Sequence, residues 1–143
     1  MADQKDVIQK VVEILHDGHK GFMNFAQYIK DPQVKALFVR ESQKRAEFAY
    51  ELQNAAGLKS DEKGTSGGAI RRFWGDVKVK LGGEDHTLLE TAEQGEDAAK
   101  EAYQQALAED GISAVVRETL MKQQVHVRQS HDEIKALRDR KAA

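Results

Sequence analysis

Leu89, Ala92, Glu96, Ala99, Tyr103 and Ala106 are spaced 3, 4, 3, 4, 3, the seam by which one bundle helix faces its partners. A carboxylate stands in the middle of that seam. Out of water, an ionised Glu96 must meet a cation, a metal or several hydrogen-bond donors, or else take up a proton. A second seam, Val34, Phe38, Glu41, Arg45, Phe48, Leu52 and Ala55, carries two charges of its own. Arg45 and Glu96 each fall near the middle of their segments, so they share a height whether those segments run parallel or antiparallel. The expectation is a buried Arg45–Glu96 ion pair, with Gln123 or Gln124 and Tyr103 adding hydrogen bonds. Arginine suits this role because its planar guanidinium meets a carboxylate with two hydrogen bonds and stays charged when buried. Removing one partner of such a pair costs about 3–5 kcal/mol. Glu96→Ala should therefore destabilise strongly, whereas Arg45→Met with Glu96→Leu should be tolerated.

The competing chemistry is a metal site. Glu96, His131 and the first-helix residues Asp17 and His19 are the candidate ligands, and iron, manganese or zinc the candidate ions. Glu90, Glu93 and Asp97 read as a solvated acidic face. Nucleophilic catalysis has no support, because Ser130 and His131 are sequence neighbours and point about 100° apart on a helix. The glycine pairs at 67–68 and 82–83 lack the lysine and the strand–loop–helix setting of a phosphate loop. The chain has no cysteine, which removes thiolate chemistry and disulfides.

Four long helices must position these groups. The first runs over about 3–30, with Ile8, Val11, Leu15, Gly18, Phe22, Phe25 and Ile29 on one face. Gly18 interrupts that face at a cost of about 1 kcal/mol in helix propensity. It lies at the height of Arg45 and is the expected gap for the arginine side chain. Asp31-Pro32 breaks the chain and starts a second helix over about 33–56, which Gly57 stops. The third covers about 84–108. The fourth covers about 113–138 and carries Val116, Leu120, Gln123, Val127, Ser130, Ile134 and Leu137, with a charged tail expected to fray.

The connection 57–83 is polar and glycine-rich except for a short amphipathic helix over about 69–81. It is long enough to carry the chain back along the bundle, so that helix 3 lies parallel to helix 2; an up-down-up-down bundle is the alternative. Arg71, Arg72, Phe73 and Trp74 on that short helix form a possible interface, for a protein partner or a second copy. The reading is thus a single all-α domain of two antiparallel helical hairpins.

At 143 residues and 40 % hydrophobic content, one core is within reach. Lys and Arg number 22 against 24 Asp and Glu, a net charge of −2, which argues against a nucleic-acid or anionic-membrane surface. Neither a signal-peptide pattern nor an apolar run of about 20 residues is present, so a cytoplasmic protein is expected.

The segments KDPQVKALF, RAEFAYEL, AEQGEDAAKEAYQQAL and HDEIKALRD resemble a bacterial four-helix-bundle family of the ferritin-like superfamily, over nearly the whole chain. That resemblance implies a rubrerythrin-like bundle in which Glu96 matches the lone glutamate of the third helix. His131 matches the histidine of the second Glu-x-x-His motif, Arg128 replaces that motif's glutamate, and Arg45 and Phe48 stand where the first motif would be. It implies the scaffold of a carboxylate-bridged oxidase with its di-metal centre replaced. Functionally it points to a non-catalytic, structural or partner-binding bundle without a cofactor, associated with stress.

Overall fold

The computed structural model describes residues 4–58, 74 and 85–142. Four α-helices pack against one another: α1 (Gln4–Ala26), α2 (Pro32–Ala56), α3 (Asp85–Leu107) and α4 (Ala114–Ala142). No strand occurs among the described residues. The short helix expected over 69–81, and with it Arg71, Arg72 and Phe73, lies outside the described residues, Trp74 excepted.

Local chemistry fixes each corner. α1 stops at Ala26, short of the expected Lys30, where the backbone tightens into i→i−3 bonds: Gln27 N–H donates to the Asn24 carbonyl at 3.2 Å and Tyr28 N–H to the Phe25 carbonyl at 3.0 Å. The Asp31 carboxylate then caps α2, accepting from Gln33 N at 2.8 Å, and Pro32 occupies the first turn, where its missing N–H costs nothing. At the far end Gly57 adopts φ 67°, and Leu58 N–H donates to the Gln53 carbonyl at 2.9 Å, a glycine stop of the Schellman type. The C-terminus of α3 is closed by a side chain, since the Arg117 guanidinium donates to the Leu107 carbonyl at 3.0 Å. Ser113 Oγ accepts from Val116 N–H at 3.2 Å to begin α4.

Long-range contacts give the direction of each helix. The Asp85 carboxylate accepts from the backbone N–H groups of Lys30 and Asp31 at 2.9 and 2.8 Å, which sets the start of α3 beside the α1–α2 corner. At the other end the Gln4 amide donates to the Asp110 carbonyl at 3.1 Å. Consequently α2 and α3 run in the same direction, each antiparallel to α1 and α4, and Leu58 and Asp85 stand at opposite ends. α1 and α4 each pack against both α2 and α3.

The apolar core comes in two halves. Ile8, Leu15, Leu52, Ala99, Tyr103 and Leu120 belong to one; Phe22, Phe25, Phe38, Trp74, Leu89 and Ile134 belong to the other. Each fully buried large side chain contributes about 1.5–3 kcal/mol. The tail of α4 does not fray at 138, because it is tied down: the Arg138 guanidinium pairs with Glu93, and Lys141 Nζ lies 2.8 Å from Asp31. Glu93 is accordingly engaged in an ion pair rather than solvated.

Candidate functional site

Between the two apolar halves lies a layer of charge. Arg45, at 1 % exposure, points from α2 into the centre, where Glu41 and Glu96 are both fully buried. Its Nη1 donates to Glu96 Oε1, and its Nη2 lies 2.9 Å from Glu96 Oε2, 3.0 Å from Glu41 Oε1 and 2.7 Å from Ser130 Oγ. The Ser130 hydroxyl in turn donates to Glu96. The guanidinium carbon sits 5.3 Å from the Phe22 ring centroid, a cation–π distance. Arg45 Nε has no hydrogen-bond partner among the described residues.

The arginine stem runs past Gly18. A Cβ built at Gly18 would lie 3.4 Å from Arg45 Cγ, so the glycine borders the stem as its spacing suggested.

Glu41 extends the layer toward the surface. His126 Nε2 approaches both of its oxygens, at 3.0 and 3.1 Å, and Arg40 Nε donates to it at 3.1 Å. Burial by itself pushes the Glu41 carboxyl up, but His126, Arg45 and Arg40 outweigh it and hold the group at about 2. Burial alone would likewise favour a neutral Arg45, and Glu96 and Glu41 reverse that, so the guanidinium stays charged.

Gln123 and Tyr103 form a separate pair in the other half of the core. Tyr103 Oη donates to Gln123 Oε1 at 2.7 Å, and the Gln123 amide donates to the Phe48 carbonyl at 3.1 Å and to Glu51 at 3.0 Å. Neither hydrogen-bonds to Arg45 or Glu96, contrary to expectation; nor does half-buried Gln124. Burial pushes the Tyr103 phenol up, with Arg45 opposing. The roles assigned to the glutamines fall instead to Glu41 and Ser130. Both were legible, Glu41 one turn before Arg45 and Ser130 in the α4 seam. His126 was not, because it lies just off that seam.

The candidate metal ligands are dispersed. Glu96 is taken up by Arg45 and Ser130. The His19 ring donates from Nδ1 to the Ser42 carbonyl at 2.9 Å, and Asp17 is buried on α1. His131 Nε2 is 2.9 Å from Asp97, and its Nδ1 is 3.2 Å from Asp132. Among the described residues no three His, Asp or Glu side chains are gathered as a metal group. The residues at mid-height do not fit a di-metal centre, since a guanidinium repels a cation and already satisfies the one carboxylate shared with that pattern.

Trp74, expected at an interface, is 3 % exposed and packs inside the chain. A cleft of about 530 Å³ at the Gly57 end, lined by Lys5, Ile8, Leu58, Ile112 and Val116 among others, contains no member of the charged layer. No described helix is long and apolar enough to cross a membrane.

Residues 3–109 match a family described as a domain of unknown function, DUF2383. None of the curated proteins matches the chain.

Proposed function

The chain belongs to the DUF2383 family, and from that premise we propose that it is a non-catalytic, ferritin-like helical bundle with a structural or partner-binding role. In this reading a buried polar network replaces an ancestral di-metal centre. The observation that carries it is the Arg45 guanidinium at the centre of the bundle, bonded to Glu96 and Glu41 where metal-carrying bundles converge carboxylates and histidines on ions. The parallel course of α2 and α3, with Leu58 and Asp85 at opposite ends of the bundle, supports the ferritin-like part. The guanidinium ties α2 to α3 and α4 through Glu96 and Ser130, so in this reading the layer sets the register of the helices. Such a bundle would act through its surface, in a bacterial cytoplasm and in a stress setting.

Metal analysis of the purified protein, with melting curves before and after addition of Fe²⁺, Mn²⁺ or Zn²⁺, tests the reading. Specific binding to the folded state must raise the melting temperature. The expected result is no stoichiometric metal and no rise. Stoichiometric metal that disappears in Glu96→Gln would overturn the proposal in favour of a metal-binding protein.

A further inference from the structure

Trp74, the chain's one tryptophan, is seated between the backbones of α1 and α3. A Cβ built at Gly21 on α1 would lie 2.2 Å from Trp74 Cδ2, and one built at Gly95 on α3 would lie 2.5 Å from Cε2 and Cζ2. The two glycines therefore border opposite parts of one ring. Phe22 and Phe25 complete the slot, edge-to-face at centroid distances of 4.8 and 5.7 Å. Each glycine costs its helix about 1 kcal/mol relative to alanine, and both are spent on the same aromatic side chain. Phe22 is shared: one contact is with the indole, another with the Arg45 guanidinium.

We propose that the space between Gly21 and Gly95 is a binding site for an indole ring, with the Trp74 side chain as its resident ligand, and that its occupancy sets how firmly Phe22 covers Arg45. The chemistry of the site selects its ligand. Two bare stretches of helix backbone admit a flat bicyclic ring, two phenyl edges contact it at geometries favourable to aromatic pairs, and an aliphatic chain would leave the slot partly empty. The site thereby joins the segment that carries Trp74 to the charged layer through a single intervening ring.

Trp74→Ala gives a chain without tryptophan, so that free indole can be followed by its own fluorescence. Indole should bind this variant at one saturable site with blue-shifted emission and should raise its melting temperature. The parent, whose slot is filled, should show neither effect, and Gly95→Ala added to Trp74→Ala should abolish both. The acid-unfolding midpoint of Trp74→Ala should move to higher pH and return when indole is added. Absence of saturable binding, equal binding by the parent, or a midpoint indifferent to indole would overturn the proposal. If Trp74→Ala does not fold and indole does not restore it, Gly95→Ala in the parent decides. Trp74 emission should then shift to the red, with several-fold greater quenching by acrylamide; unchanged emission and quenching would refute the site.

Discussion

Two neighbouring regions of this bundle, the charged layer and the tryptophan slot, share Phe22 and are held by opposite means. Arg45, Glu41, Glu96 and Ser130 are fixed by directional bonds between groups that burial would otherwise penalise, whereas Trp74 is fixed by shape, in a gap left by two missing side chains. The difference teaches where fragility lies. A charge pair tolerates changes of volume but not the loss of a partner, while a close-packed slot tolerates the loss of charge nearby but not one added carbon.

The largest expected effect comes from Glu96→Ala, which takes from Arg45 the carboxylate that meets it with two bonds and leaves it Glu41 and Ser130 alone; it should lower stability by about 3 kcal/mol, read from denaturant melts. A melt indistinguishable from the parent would mean that the layer does not hold the bundle in register. The compensated test needs three changes, not two. Because Glu41 also bonds Arg45, Arg45→Met with Glu96→Leu would leave a buried carboxylate behind. Glu41→Leu, Arg45→Met and Glu96→Leu together should melt at or above the parent temperature.

Acid should come next. With the Glu41 carboxyl lowered from 4.5 to about 2, the unfolded chain takes up its proton first. The stabilisation is complete above pH 4.5 and is lost as the pH falls from there toward 2, roughly 3 kcal/mol in all. Glu41→Gln should flatten that part of the stability–pH curve, and a curve of unchanged steepness would contradict the assignment.

In the slot, Gly21→Ala or Gly95→Ala should cost about 1–3 kcal/mol by overpacking, despite the gain in helix propensity. The smallest change is expected at Gly18. There an alanine methyl would meet the Arg45 stem at 3.4 Å, an ordinary contact distance, and Gly18→Ala should stabilise by up to about 1 kcal/mol. If Gly18→Ala proved as damaging as Gly21→Ala, the contrast between stem and ring would fail.

That contrast also explains what could be read from residues alone. Charges inside a heptad-like seam stand out against hydrocarbon, so Arg45 and Glu96 were visible as a pair, as were the helices and the Asp31-Pro32 corner. Gly18 was visible as an interruption of an apolar face. Gly21 and Gly95 lie beside their seams, where a small residue breaks no pattern, and their meaning depends on a side chain brought from elsewhere in the chain. Assigning Gln123 to the layer failed for a related reason: spacing places a residue on a face but does not say which neighbour along the helix axis it will bond. Glu41 could have been added, since a carboxylate one turn from a buried arginine reaches the same guanidinium.

The clasp at Asp85 bears on the order of assembly. Its two acceptor oxygens serve amides 55 and 54 residues earlier in the chain, so the first hairpin, though built from local contacts, keeps two backbone donors waiting until the second hairpin arrives. Contacts so distant in sequence raise the contact order of a domain otherwise rich in short-range pairing, which slows folding. Completion of the corner therefore requires the two halves to meet, and the nascent chain cannot close it before residue 85 has been made.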